Sequence, residues 1–203
     1  MNIYFDTEFT GLVPDTKLIS IGMVTDGGDR FYAEFNDYDV NLIDNWIEEN
    51  VIKHLWLNNV LEGVTYDYSS TEWIRHNLLL WLERVSGSQY NLFSENGVGK
   101  VIATGGDTIQ FVSDVSHYDF YLLQNQIFGG AFNMPTNIVP ACYDINQDIA
   151  RYLKKNDLKD AFDISREDLL KKLGGKIPVG RKHNALYDAE VIRGIYSELV
   201  TRI

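Results

Sequence analysis

The chain opens with three short runs of apolar, β-branched and aromatic residues that are separated by polar turns. Residues 3–9 and 18–24 predict the first two strands and residues 30–35 the third, because their composition favours extended backbone. Residues 26–29, with two adjacent glycines, are a hairpin signal between the last two runs. The pattern therefore predicts a three-strand antiparallel meander.

The spacing of apolar residues then changes from strand-like to helical. Residues 43–55 and 74–85 repeat apolar side chains every three or four positions, which predicts two helices. Ser69 and Glu72 have the spacing of a capping box for the second helix. Residues 185–199 carry the clearest helical repeat and predict that the chain ends in a helix.

The middle of the chain mixes both patterns. Residues 86–106 are rich in Gly, Ser and Asn and predict a loop or a small hairpin. Residues 108–113 predict a strand, and the helix that follows it ends at the glycine pair 129–130. A further strand is predicted at residues 138–143, from which Asp144 leads into a helix. This order predicts an α/β fold, with a mixed central sheet of the meander plus further parallel strands flanked by helices.

Composition limits the classes of protein to consider. A length of 203 residues and 45% hydrophobic content suit one domain spanning residues 1–203. The formal net charge of −11 argues against a broad, nonspecific grip on long nucleic acid, which needs a basic face. Cys142 is the single cysteine, and we find neither a signal peptide nor an apolar run of membrane-spanning length. We therefore expect a soluble, cytoplasmic protein without a disulfide or a membrane partner.

Two acids in the first predicted strand are the first candidate chemistry. Asp6 and Glu8 are two residues apart, so their carboxylates project from the same face of a strand. Their repulsion and partial burial would raise one pKa unless a cation neutralises them, and a hard divalent ion bound through oxygen is the natural complement. A solvated acidic face on an edge strand is the alternative that this pair alone leaves open.

A second motif lies at the start of the last predicted helix, where His183 precedes Asp188 by five residues. Residues 6–12, Asp-Thr-Glu-Phe-Thr-Gly-Leu, fit a DxExTGL pattern. Together the two motifs resemble the DEDDh (DnaQ-like) 3′–5′ exonucleases, and in particular small exoribonucleases and oligoribonucleases. A sister group has a tyrosine four residues before the last aspartate, where this chain has Asn184. The resemblance covers nearly the whole chain and implies a ribonuclease H-like fold.

The resemblance calls for one more acid in the middle of the chain. Asp119 is our choice, because it follows a strand, opens a helix and lies between aromatic residues. Asp114 is the alternative, since it is nearer the strand end; otherwise it is a turn or capping residue. Asp144 is expected to cap the helix that follows it, and Asp107 to lie in a turn.

The resemblance also implies roles for these side chains. Asp6, Glu8, Asp119 and Asp188 would hold two divalent cations, Mg²⁺ or Mn²⁺, with Asp6 contacting both. His183 would act as the general base, because an imidazole with an ordinary pKa of about 6.5 can be neutral at the working pH.

Substrate contacts are predicted in two segments. The first segment, implied by the resemblance, would meet the terminal nucleotide and comprises Phe9, Thr10, Gly11 and Leu12. Core packing is the alternative for Leu12. The second segment, residues 171–182, has five basic residues and no acid. It predicts a mobile flap in which Arg181 and Lys182 meet substrate phosphates, with a solvated loop as the alternative.

The resemblance and the residues that carry it imply a metal-dependent 3′–5′ exonuclease that acts on single-stranded RNA or short oligoribonucleotides. A DNA exonuclease of the proofreading type and a catalytically silent nucleic-acid-binding module are the alternatives. The resemblance also implies a homodimer.

Overall fold

The computed structural model describes residues 1–57, 59, 61–95, 98–154 and 159–202. Its strands are β1 (Asn2–Phe9), β2 (Leu18–Thr25), β3 (Arg30–Phe35), β4 (Val64–Ser69), β5 (Gln89–Glu95), β6 (Val98–Thr104), β7 (Gln110–Ser113) and β8 (Tyr143–Asp144). Its α-helices are α1 (Asn45–Asn50), α2 (Thr71–Ser86), α3 (Ser116–Leu122), α4 (Asn146–Leu153), α5 (Lys159–Phe162), α6 (Arg166–Leu173) and α7 (Ala185–Val200). A π-helical turn, Leu123–Ile127, continues α3.

Six of the described strands form one mixed sheet in the order β4-β3-β2-β1-β7-β8. Strand β2 is antiparallel to both of its neighbours, whereas the pairs β3–β4, β1–β7 and β7–β8 are parallel. Every residue of β2 is buried, because helices cover both faces of the sheet at its centre. The predicted meander and the mixed sheet are confirmed.

The two faces of β1 belong to different cores. Ile3 and Phe5 lie with the apolar side chains of α2 and α3, and Phe5 meets Phe111 edge to face at a centroid distance of 5.2 Å. Tyr4 points the other way and lies with the apolar side chains of α4, α6 and α7. Because successive side chains of a strand alternate between faces, the even-numbered residues further along β1 are directed toward α7.

The start of α7 approaches the sheet more closely than any side chain at Gly22 would allow. A Cβ atom at Gly22 would lie 2.2 Å from the Leu186 nitrogen and 2.3 Å from the Ala185 carbonyl carbon. Gly22 pairs with Asp6 between β2 and β1. The bare backbone of this glycine therefore sets the first turn of α7 next to the acidic end of β1.

Several predicted elements differ from the structure. Strand β4 was not predicted, and the predicted strand at residues 138–143 is largely irregular. That segment contributes one bridge, between Ile109 and Ile138, before the short β8 begins. Pro140 has no N–H to donate, which limits pairing there. The predicted helix at residues 43–55 is reduced to the six residues of α1 with a short 3-10 turn on each side.

The predicted capping box of α2 is also wrong. Ser69 belongs to β4, and Ser70 occupies the cap position without a side-chain bond to the helix. The carboxylate of Asp37 takes over this function: it accepts hydrogen bonds from the Thr71 nitrogen at 2.8 Å and from the Thr71 hydroxyl at 3.0 Å. Asp37, which is distant in sequence, therefore caps α2 in place of the predicted Ser69.

The remaining predicted elements are present. Strands β5 and β6 form the small hairpin that was one of two interpretations of residues 86–106, although residues 96 and 97 lie outside the described residues. The helices predicted after residues 108–113, after Asp144 and at the end of the chain are α3, α4 and α7. Within the described ranges, no helix has the length and apolar character needed to cross a membrane.

Candidate active site

Acidic side chains from both ends of the chain line one cavity of about 380 Å³. Because β1 and β7 are parallel, their carboxyl ends lie at the same edge of the sheet. Strand β1 brings Asp6 and Glu8 to this edge, and Asp119 follows β7 in the first turn of α3. Asp188 reaches the cavity from the first turn of α7. Four acids from three separate parts of the sequence therefore meet at one place.

The potential ligand atoms form two groups. Each residue of a group offers one ligand atom, and the ligand atoms of a group all lie within 4.8 Å of one another. Glu8, His183 and Asp188 form the first group, and Asp6, Asp114 and Asp119 form the second. Carboxylate oxygens are the donors that Mg²⁺ and Mn²⁺ prefer, so both groups are compatible with binding divalent cations.

Hydroxyl groups hold Asp119 in place. The Thr7 hydroxyl donates to one carboxylate oxygen of Asp119 at 2.6 Å, and the Ser113 hydroxyl donates to the other. Asp119 is only 1% exposed. Each carboxylate oxygen has a further lone pair, so these bonds orient the group while leaving it able to accept a cation.

Asp114, the alternative third acid, is also in the cavity but has a different partner. Its carboxylate accepts a hydrogen bond from Arg166 Nε at 2.6 Å. Other nitrogens of the same guanidinium donate to the Ala161 carbonyl and to Asn146 Oδ1, both at 2.7 Å. One donor of Arg166 thus binds Asp114 while its other nitrogens anchor the guanidinium to neighbouring groups, and the structure brings both candidate aspartates to the site.

His183 lies on a strained backbone directly before α7. Its φ angle is +63°, which non-glycine residues rarely adopt. Its amide donates to Asp188 Oδ2 at 2.8 Å, and its Nδ1 lies 3.9 Å from Glu8 Oε1. The ring also meets Trp46 edge on, at a centroid distance of 5.2 Å. Strain of this kind persists where surrounding contacts enforce it, and it is concentrated at functional sites.

Neighbouring side chains enforce this conformation. Asn184 caps α7 by accepting from the Tyr187 nitrogen at 3.3 Å, and its amide group donates to Tyr32 Oη at 3.0 Å. The His54 ring makes a 3.0 Å hydrogen bond through Nδ1 to the Lys182 carbonyl. Both residues next to His183 are therefore tied to other elements of the fold.

Burial raises the pKa of all four carboxyl groups in the absence of metal. Asp119 and Asp188 are each raised to a pKa of about 7, with their hydrogen bonds offsetting part of the effect. The pKa of Asp6 is well above its usual range because of burial and then the charge of Asp119. Burial and the charge of Asp188 do the same for the pKa of Glu8. A cation would relieve this repulsion, so the donor set fits divalent metal.

The pKa of His183 shifts in the opposite direction. Burial lowers it below its ordinary value, and the positive charge of Lys182 lowers it further. The imidazole is therefore neutral at neutral pH and able to accept a proton.

Only part of the first predicted substrate segment, residues 9–12, lines the acidic cavity. Phe9 and Leu12 line the cavity, and Phe9 stacks on Tyr118 with ring centroids 5.5 Å apart. Leu12 is 71% exposed, so core packing is wrong as an account of this residue. Thr10 is buried instead, and its hydroxyl accepts from the Lys17 nitrogen at 2.9 Å. Neither Thr10 nor Gly11 lines the cavity.

The parts of the second predicted segment, residues 171–182, also lie in different places. Lys171 and Lys172 belong to the last turn of α6, so the predicted flap is wrong for this part of residues 171–182. Lys182 lines the acidic cavity, whereas the preceding Arg181 lines a separate cavity on the other side of the chain.

Sequence reasoning missed most of the residues that contact the site acids and His183. Arg166 opens α6, a helix with no motif of its own, and Trp46 lies in the short α1. Ser113 and Thr7 look like ordinary strand residues in the sequence. A signal existed only for Thr7, which lies between the two acids of the first motif.

Comparison with known proteins supports the fold. No protein-family model matches this chain, and no curated protein sequence matches it. Among solved structures, S. pombe Pop2p, in a form with Mg²⁺ and Mn²⁺ bound, is similar with a TM-score of 0.61 and 15% sequence identity. The likeness covers 99% of this chain and 83% of the Pop2p chain. At this identity it concerns the fold alone, and it confirms the predicted α/β, ribonuclease H-like architecture.

Proposed function

We propose that this chain is a metal-dependent 3′–5′ exonuclease of the DEDDh type that acts on single-stranded RNA or short oligoribonucleotides. One observation carries the proposal: the four acids and His183, from the two ends and the middle of the chain, converge on a single cavity. The fold shared with Pop2p, whose solved structure contains Mg²⁺ and Mn²⁺, supports the same assignment. The exonuclease domain of the proposal comprises residues 1–203.

Asp6, Glu8, Asp119 and Asp188 are the proposed metal ligands. Divalent cations held there would stabilise the negative charge that develops on the oxygens of the phosphodiester during hydrolysis. The hydroxyls of Thr7 and Ser113 keep Asp119 aimed into the cavity. The His183 amide orients Asp188 in the same way, through its bond to Oδ2.

His183 is the proposed general base. Its Nδ1 faces the carboxylate of Glu8, and we assign to this atom the proton of the attacking water. The lowered pKa keeps the imidazole neutral, and the edge of Trp46 limits its rotation. His183 therefore accepts a proton at neutral pH without a prior deprotonation.

The exposed Leu12 and the Phe9–Tyr118 stack are the proposed contacts of the 3′-terminal nucleotide. Both lie at the acidic cavity, and apolar side chains of this kind provide surfaces for a nucleobase. Lys182 supplies a positive charge in the same cavity, where it would meet the scissile phosphate. Thr10 supports this segment from within, through its bond to the Lys17 nitrogen.

A substrate panel tests the proposal. RNA and DNA labelled at either end, and di- to decanucleotides, are incubated in Mg²⁺, in Mn²⁺ and in EDTA. We expect stepwise shortening from the 3′ end, faster for RNA, and no reaction in EDTA. Asp15→Asn, which removes an exposed acid outside the cavity, is the matched control for Asp6→Asn. Products released from the 5′ end, or hydrolysis that persists in EDTA, would overturn the proposal.

A further inference from the structure

A second cavity, of about 390 Å³, lies on the other side of the segment that carries His183. Its lining is basic in a chain whose formal net charge is −11. Arg30, Lys53 and Arg181 contribute cationic side chains, and His54 adds an imidazole. Among the lining residues that the structure describes, Glu190 is the single acid, and Arg30 pairs with it at 3.4 Å. The cavity therefore has the opposite charge character to the acidic site next to it.

Consecutive residues separate the two cavities. Arg181 lines the basic cavity, whereas Lys182 and His183 line the acidic one. The same division continues into α7, where Tyr187 borders the basic cavity and Asp188 the acidic one. Residues 181–183 therefore form the ridge between the two neighbouring cavities.

Arg181 is the most available of these cations. Its side chain is exposed, and it has no acidic partner among the residues that the structure describes. Lys53 is 54% exposed and pairs with Glu49, which is itself largely exposed, so this ion pair is weak and exchanges readily with another anion. Arg181 and Lys53 are thus able to bind an incoming phosphate with little loss of existing ion-pair energy.

We propose that the basic cavity binds the backbone phosphates of the substrate strand upstream of the scissile bond. The inference builds on the proposed exonuclease function, because the terminal nucleotide would occupy the acidic cavity. Arg181 and Lys53 contact the upstream phosphates, and the ridge of residues 181–183 lies beneath the strand where it crosses. The acidic chain thereby gains a local grip on a short single strand without a general affinity for long nucleic acid.

Binding measurements in Ca²⁺ buffer test this inference separately from catalysis. The probes are a 5′-fluorescein-labelled tetraribonucleotide and a nucleoside 5′-monophosphate, each titrated at several salt concentrations against wild type, Arg181→Ala and Lys53→Ala. Lys172→Ala removes an exposed charge that lines neither cavity and is the matched control. The logarithm of the binding constant falls linearly with the logarithm of the salt concentration. For a single strand, a variant that loses one phosphate contact should show a slope that is less steep by about 0.7.

We expect Arg181→Ala and Lys53→Ala each to weaken tetranucleotide binding by about two- to fivefold. The monophosphate should bind each variant as it binds wild type. If both variants match Lys172→Ala, or if monophosphate binding falls in parallel, the inference of an upstream strand site is overturned. A wild type that hydrolyses no nucleic acid, yet binds the tetranucleotide through Arg181, would refute the proposed exonuclease and leave the strand site standing.

Discussion

Replacing Gly22 with alanine tests how the last helix is held over the acidic end of β1. The added Cβ atom would lie 2.2 Å from the Leu186 nitrogen, whereas ordinary contact begins at 3.4 Å. The first turn of α7 must therefore retreat by about 1.2 Å, the difference between these distances. The obstructing atoms belong to the backbone, so no side-chain rotation relieves the contact. Asp188, two residues after Leu186, would move with the helix.

The cost of this displacement falls on both stability and turnover. Overpacking of a well-packed interior costs about 1–3 kcal/mol, which lowers the melting temperature of a chain of this size by about 2–12 °C. A shift of about 1 Å in a catalytic group costs about 100-fold in rate. We therefore expect Gly22→Ala to lose about two orders of magnitude in kcat/KM while remaining folded.

The assay compares kcat/KM on a short oligoribonucleotide with the melting temperature of the same preparations. Gly27→Ala is the control, because that glycine is exposed and a Cβ atom there would meet nothing closer than 3.6 Å. Wild-type turnover and melting temperature in Gly22→Ala would refute the packing argument. A lowered melting temperature with unchanged turnover would refute the claim that this contact positions Asp188.

Four further outcomes follow from the site. Asp6→Asn should abolish turnover and raise the melting temperature of the metal-free protein, since it removes a buried repulsive charge; near-normal turnover in Mg²⁺ would contradict the metal site. Asp119→Asn should lose far more activity than Asp114→Asn, and the reverse ranking would exchange their roles. His183→Ala should lose about 10²- to 10⁴-fold in kcat but keep oligonucleotide binding in Ca²⁺, whereas an unchanged kcat between pH 6 and 9 would exclude it as the base. Because the pKa values of Asp119 and Asp188 are about 7 in the folded protein and near 3.9 when unfolded, the folded state binds more protons between these values. Chemical denaturation should therefore show metal-free stability falling from about pH 4 to pH 7, with saturating Mn²⁺ removing the decline.

Local sequence patterns were sufficient for the elements whose periodicity is strong. The alternation of side chains along β1 predicted that Asp6 and Glu8 share a face, and the structure brings both to one cavity. The apolar repeat of α7 predicted the helix that carries Asp188. These predictions succeed because a strand and a long amphipathic helix impose periods of two and about 3.6 on the residues that face the core.

Local patterns failed where a distant partner decides the structure. Asp37, rather than the expected Ser69, interacts with the start of α2, because the chain folds back to bring this carboxylate within hydrogen-bonding distance. Strand β4 was missed because it is an edge strand whose residues are only partly buried, which leaves little apolar signal.

The environment of the site is a product of the tertiary structure. Nothing in the sequence near Asp114 indicates that Arg166, 52 residues later, holds it, or that Thr7 and Ser113 together clamp Asp119. The identity and the local spacing of the acids are properties of the sequence. Their depth of burial and raised pKa values arise only in the folded chain, where Arg181 and Lys182 also come to line different cavities. Desolvation and charge repulsion depend on distances through space, so the tertiary structure alone decided them.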